Sequence, residues 1–428
     1  MSSNFQEAVQ QLVDDRPPTA VKAIYSSQGI KLIERGIKVD PKLYERLMRH
    51  QLSAPLEDAL QAQDSISGKA LRGVAERLIE RRPVLAYLLQ QQEGQQAQLL
   101  EALEAIPLPP PVAFQLSVAR DVHPALFQYS VCTAMLAGWL VLRPVMVRYD
   151  LIMPMAAGLL QDLGMMHIDP VLLQPKGELT SEQRRQLYSH PLVSALLLER
   201  HHEYPRELIR AVREHHELLD GSGYPAHLAG DKISPWGRVV SLAQVMSALL
   251  RPGRGLSALR LSLLLRTNRH QFDPGLCDRA LNALRGLASQ NVPASATELA
   301  SLEPVASPVA QLITIDRLLA AWPTTLGRDA AATPARVQGM AAIGQQCEQM
   351  RRLLADVGAS GDQLLMLGDD QDPDLMSELS LITQEMAWQL RTLARNASRR
   401  WAPAVGEELP TALVQWLEEV EGCLADLA

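Results

Sequence analysis

His215-His216-Glu217-Leu218-Leu219-Asp220-Gly221-Ser222-Gly223-Tyr224-Pro225 is the stretch on which the reading of this chain turns. Two adjacent imidazoles and two carboxylates run into a Gly-x-Gly-Tyr-Pro turn. Imidazoles side by side at the end of a helical stretch, next to a tight glycine loop, can hold metal ions against a phosphate. The same residues also read as a plain loop behind hydrogen-bonded histidines, because Asp-Gly and Ser-Gly are turn formers in their own right. The surrounding sequence has to decide between the two.

Outward from this stretch, residues from about 112 to 290 follow a pattern of helix after helix. Thr180-Ser181-Glu182 reads as a helix cap ahead of the segment that reaches His190. Helices that present ligands toward one another from separate sequence positions are a common way to build a metal centre. A second triplet, His201-His202-Glu203, continues as Tyr-Pro-Arg without the turn and reads as a surface helix end.

From about Tyr129 to Pro252 the order of motifs resembles the HD-GYP domain, a bacterial branch of the HD superfamily of metal-dependent phosphohydrolases. Gly158-Leu159-Leu160-Gln161-Asp162-Leu163-Gly164 sits where that family has its His-Asp dipeptide. Gln174-Pro175-Lys176-Gly177-Glu178-Leu179-Thr180 and Ser189-His190-Pro191 match the next loop and its His-Pro. His215 to Pro225 matches HHExxDGxGYP in full, and Leu228 to Ile233 and Arg238-Val239-Val240 continue the pattern. The resemblance implies a cyclic di-GMP phosphodiesterase ancestry, with two or three metal ions activating a bridging water and neutralising phosphate.

Position by position, the resemblance is uneven. The first helix of the family supplies a Glu and a His, where this chain has Ala125 and Tyr129. Gln161 stands for the His of the dipeptide while Asp162 remains, and Met165 stands for the usual lysine. The late metal-binding Asp falls on Gln244, with Ser247 three residues on. By the family's pattern, three of the four ligands of one metal are therefore replaced. The other half-site, Asp162, His190, His215 and His216, is retained, and implies one divalent transition metal (iron or manganese) or none. His167 and His123 are the nearby histidines that would have to swing in to compensate. Lys176 and Arg251 are candidate phosphate or ligand contacts, with solvated surface charge as the alternative. Gly223, Tyr224 and Pro225 are a candidate recognition loop, which in relatives is linked with docking onto diguanylate cyclase (GGDEF) domains.

The rest of the chain sets bounds. A net charge of −7 gives no global basic field for nucleic acid. Aromatics make up only 4% of the 428 residues, so Leu, Ala, Val and Met must fill the cores. Cys132, Cys277, Cys347 and Cys423 form no CxxC pair, which points to a reduced, cytoplasmic setting. The apolar stretch Met135 to Val147 is interrupted by Arg143 and Pro144, so a buried helix is expected there rather than a membrane span.

The expected fold is mainly α, with a helical HD-GYP core at 107–303, a small N-terminal α/β unit plus helical connector at 1–106, and a C-terminal helical bundle at 304–428. Short strands are expected within 21–39, a helix starting at Asp40-Pro41, and helix through 54–106 up to the proline cluster 107–111. Three amphipathic tail helices are expected to start at Thr333-Pro334, Asp372-Pro373 and Pro410, behind a boundary bracketed by Pro304 and Pro308. The tail is expected to serve interaction or homodimerisation, since none of the ten histidines lies beyond His270. Three functions stay open at this point: a catalytically weak or inactive adaptor or sensor of a cyclic dinucleotide, an active phosphohydrolase with a rearranged or mononuclear site, and a pure interaction scaffold.

Overall fold

The computed structural model describes residues 3–173, 179–250, 257–288, 307–323, 333–366, 373–401 and 409–425. Lys176, Arg251, Pro304 and Asp372 lie outside the described residues. The fold is mainly α, with four very short strands among the described residues. It forms two compact units, Met1–Pro252 with His270–Asn291, and Gly253–Arg269 with Val292–Ala428.

In the first unit, α1 (Ser3–Asp15) precedes β1 (Thr19–Ala20), β2 (Ile24–Tyr25) and β3 (Lys31–Ile33), then α2 (Pro41–Met48) and β4 (Leu60–Gln61). β1 pairs with β4 and β2 with β3, both antiparallel. The Asp40 side chain accepts from the Leu43 N–H at 2.8 Å, the N-cap read from Asp-Pro, a feature typically worth about 1 kcal/mol. The stretch 54–106 departs from the expected run of helix. It opens with a 3-10 turn at Leu56–Asp58 and β4, and only then forms α3 (Gly68–Arg81), α4 (Pro83–Leu89) and α5 (Gln95–Glu104). Pairing with β1 overrides local propensity at Leu60, and Pro83 splits what would otherwise be one helix.

The central helices follow: α6 (Pro110–Val122), α7 (Pro124–Val141), α8 (Arg148–Leu160), α9 (Ser181–Leu187), α10 (His190–Leu198), α11 (Arg206–Glu214) and α12 (Pro235–Leu249). After α13 (Ser257–Thr267), which belongs to the second unit, α14 (Pro274–Ala288) returns to the first. α7 packs along α8 and α12 and is apolar on nearly every face. It is long and apolar enough to cross a membrane by length and composition, but 72% of it is buried inside the fold, as in the core helix of a globular unit. It begins eleven residues before the expected Met135 and ends at Val141, where Leu142 turns extended ahead of Arg143-Pro144.

The first 106 residues do not stand apart from this core. α1 buries Phe5, Ala8, Val9, Leu12 and Val13 and packs on α6, while Phe5 stacks on His167 with ring centroids 4.6 Å apart. The prolines at 107–111 are thus a stiff turn into α6 within one unit.

The second unit gathers α13 with α15 (Pro308–Ala320), α16 (Pro334–Asp356), α17 (Gly361–Leu365), α18 (Pro373–Trp401) and α19 (Thr411–Ala425). On α16, Met340, Ile343, Cys347, Met350 and Leu354 form a buried stripe, while Val337 is exposed. α13 and α15 were not expected in this bundle. Leu312, Ile315, Leu318 and Leu319 of α15 supply part of its core, and the Trp416 indole N–H donates to the Leu318 carbonyl at 2.8 Å.

Candidate metal centre and its closed neighbour

Four side chains from three places in the chain meet at one point. One ligand atom each from Asp162, His190, His215 and His216 lie within 4.8 Å of one another. Among the described residues this is the only such group of His, Cys, Asp and Glu. His215 is the C-cap of α11, His190 opens α10 rather than closing α9, and Asp162 follows the end of α8. Helix ends supply all four, and the C-terminal turns of α9 and α11 place free carbonyls beside the imidazoles.

Those carbonyls set the imidazole tautomers. His190 Nδ1 is 2.7 Å from the Leu187 carbonyl, and His215 Nδ1 is 2.7 Å from the Val212 carbonyl. A carbonyl oxygen only accepts, so each Nδ1 carries the proton and each Nε2 keeps its lone pair. The two Nε2 atoms nonetheless face each other at 3.1 Å, with Asp162 Oδ1 at 3.3 Å from the first and 3.7 Å from the second. Two lone pairs and a carboxylate converging in a buried space repel unless a cation joins them. Two nitrogens each about 2.1 Å from one tetrahedral ion lie about 3.3 Å apart, so the donor set fits a single divalent metal.

Burial shapes the electrostatics. It pushes His215 down to about 4 and His216 well below its ordinary value, so both imidazoles are neutral and ready to ligate at neutral pH.

Two glycines make this packing possible. A Cβ on Gly164 would overlap the His190 carbonyl and press on Ser194. Instead the Gly164 N–H donates to Ser194 Oγ at 2.8 Å, and that hydroxyl donates to the Gln161 carbonyl at 2.6 Å, which fastens α10 to the turn carrying Asp162. At Gly223 a Cβ would collide with the backbone of His216, Glu217 and Leu218. Glu217, buried, is no ligand: its carboxylate accepts from the Ala226 and Leu228 N–H groups at 2.6 and 2.8 Å and ties the loop back to the histidines. Asp220 accepts from Ser222 and Gln271 and faces His270 at 3.5 Å, and these partners, against the opposing effect of burial, hold it at about 2.

The neighbouring positions look different. Tyr129 of α7 and Gln244 of α12 are bonded to each other, the Tyr129 hydroxyl lying 2.8 Å from Gln244 Oε1 and 2.9 Å from the Gln244 carbonyl. Below them the Thr133 and Ser247 hydroxyls both donate to the Tyr129 carbonyl, at 2.9 and 3.2 Å. Gln161 is fully buried and donates to Asp162 Oδ2 at 3.2 Å, while its own Oε1 has no partner. Met165 is half-buried in the 3-10 turn after Asp162. His167 stacks on Phe5 and His123 caps α7, so neither joins the cluster.

A protein-family profile described as "HD domain" matches residues 118–276. A Vibrio cholerae protein named "Cyclic di-GMP phosphodiesterase" is 33% identical over 134 residues, 28% of this chain and 27% of its own length. "Cyclic di-GMP phosphodiesterase response regulator RpfG" of Xanthomonas campestris pv. campestris is 35% identical over 136 residues, 30% of this chain and 35% of its own. This chain carries an HD-GYP family domain. A further Vibrio cholerae protein, named "3'3'-cGAMP-specific phosphodiesterase 3", is 31% identical over 135 residues, covering 30% of this chain and 29% of its own. The chain thus spans about a third or less of these relatives. Bd1817, a HDG"Y"P protein from Bdellovibrio bacteriovorus, aligns with 64% of this chain and 98% of its own at 16% identity and a TM-score of 0.35.

Several residues that build the HD-GYP site were not singled out in the sequence. Ser194 and the Leu187 and Val212 carbonyls act through backbone geometry, which no motif records. Tyr188 stacks on Tyr224 at 3.9 Å and 9°. Its only sequence signal is an aromatic two residues before the His-Pro.

Proposed function

We propose that this chain is a cyclic-dinucleotide signalling protein whose HD-GYP domain keeps one metal site and has closed the other, and that it serves as an adaptor or ligand sensor with weak or no hydrolysis. The observation that carries this reading is the Tyr129–Gln244 hydrogen bond beside the intact cluster of Asp162, His190, His215 and His216. A divalent ion there, iron or manganese, would act as a Lewis acid toward phosphate and lower the pKa of a bound water. Asp162 supplies the negative charge that balances it, and His190 and His215 supply Nε2 donors fixed by Leu187 and Val212. Tyr129 and Gln244 satisfy each other, so they offer neither a strong ligand nor a general base for a second ion.

Elemental analysis of the native protein, paired with cyclic di-GMP turnover, tests this. The expected result is one equivalent of metal, lost in His190→Ala and in His215→Ala, with turnover near background. Two equivalents, or turnover like that of intact phosphodiesterases, would overturn it.

A second reading is hydrolysis at a mononuclear site, and the four converging ligands favour it. It requires turnover that disappears with the metal when His190 is replaced. For partners, the reading adds a GGDEF-domain or other signalling protein at the Gly223-Tyr224-Pro225 loop and a homodimer through the helical tail. Sedimentation of the full chain and of a chain lacking residues 304–428 tests the dimer. A pure scaffold differs from both readings in binding no cyclic nucleotide by calorimetry.

A further inference from the structure

A groove of about 430 Å³ opens beside the cluster, between α9, the start of α10 and the Gly-Tyr-Pro loop. Its floor is aromatic. Tyr188 and Tyr224 stack at 3.9 Å, and Tyr224 in turn lies over His216 at 4.5 Å and 19°. A column of rings therefore runs from the surface to one of the four clustered ligands. Tyr188, at the outer end, is 38% exposed.

The rim is basic. Arg184, Arg185 and His227 line it. Arg184 donates to the Leu179 carbonyl over a long 3.5 Å, and no carboxylate among the described residues pairs with either arginine. A flat π surface next to two guanidinium groups with no carboxylate partner among the described residues recognises a planar anion. The rings stack on a base, which every nucleotide offers, and the planar forks pair with phosphate oxygens. An apolar peptide would leave the arginines without partners, and a cation would be repelled. The volume falls within the usual range for small-molecule sites.

We infer that this groove binds a nucleotide, with the base on Tyr188 and the phosphate on Arg184 and Arg185, and that it does so without the metal. This rests on the reading of the chain as a cyclic-dinucleotide signalling protein and adds where the ligand is held. Tyr188, Arg184 and Arg185 are binding residues in this assignment, separate from the metal ligands.

Calorimetry on the full chain, stripped of metal with a chelator, tests it with GMP and with cyclic di-GMP as probes. Tyr188→Ala and the double variant Arg184→Ala/Arg185→Ala should each weaken binding by about tenfold or more. Tyr188→Trp should restore it. Leu196→Ser should leave it unchanged, since Leu196 is exposed on α10 but outside the groove. Unfolding midpoints equal to wild type show that the variants fold, and Arg185→Glu, at an exposed position, provides a second charge test. If cyclic di-GMP binds equally well to all variants, the groove assignment falls and the signalling reading stands. If GMP binds through the groove and cyclic di-GMP does not bind, the groove stands and that reading falls. Binding of neither probe by wild type overturns both. Sensitivity at Leu196 without sensitivity at Tyr188 marks the face as a protein interface and overturns the assignment.

Discussion

The two sides of the HD-GYP pocket differ in what holds them. The ligand side is made of helix ends: α8 delivers Asp162, α10 opens on His190 and α11 closes on His215. Its geometry comes from backbone carbonyls and from Gly164, whose lack of a side chain lets two chain segments touch. The closed side is made of helix middles. Tyr129 and Gln244 project from α7 and α12, two helices already locked together by apolar burial. Side chains in mid-helix can change their polar tips without disturbing the frame, because packing below the tip is untouched. The ligand side thus holds three imidazoles and a carboxylate, and the other side an amide and a phenol bonded to each other.

The sharpest way to break the comparison is Gly164→Val. A branched side chain would be driven into the His190 carbonyl and Ser194, so α10 must move off the turn that carries Asp162. We expect a loss of about 3 kcal/mol or more in urea unfolding, together with loss of metal. A stable Gly164→Val protein with full metal content would show that the close approach is not needed.

Next in size are substitutions at the ligands and at their opposite numbers. Asp162→Asn, His190→Ala and His215→Ala should each lower metal affinity by about a hundredfold or more, while Gln244→Ala should change it by little. Equal effects on both sides, measured by competition with a chelating dye, would erase the distinction.

Acid should weaken the folded chain through its buried histidines without any mutation. Burial holds His215 and His167 at about 4 in the folded chain, against an ordinary value of 6.5. Folded protein therefore binds fewer protons than unfolded protein between these values. The stability this confers is complete above about 6.5 and is lost as pH falls toward 4, by up to a few kcal/mol in the metal-free protein. The urea midpoint should fall over that window, and His167→Phe, which keeps the contact with Phe5, should flatten the fall. Bound metal should shift the fall to lower pH, since protons and metal compete for His215.

Much of this was legible in the chain itself. The cap at Asp40, the cap at Thr180 and the buried stripe from Met340 to Leu354 follow from local propensity and periodicity, which act over a few residues. Asp162, His190, His215 and His216 could be named because the family motif fixes their order, and the structure brings them within reach of one another. What was not legible is what depends on distant pairs. Leu60 becomes strand because Ala20 is there to receive it, and Tyr129 is satisfied because Gln244, 115 residues away, turns to meet it. Residues 1–106 looked separable because the proline cluster at 107–111 ends them, yet α1 packs on α6 and its Phe5 on His167.

The smallest expected effect tests the closed side directly. Tyr129→Phe removes one hydroxyl and keeps the ring that fills the space between α7 and α12. Gln244 is half-buried, so water can replace the lost partner, and the cost should be about 1 kcal/mol rather than the full penalty of a stranded buried acceptor. The Thr133 and Ser247 hydroxyls bond to the Tyr129 carbonyl and are unaffected. Metal content should stay at one equivalent, because removing the phenol creates no ligand. A second equivalent of metal in Tyr129→Phe would mean that the hydroxyl had been masking donors still present on that side. The pocket would then be one site that a single hydrogen bond holds half shut.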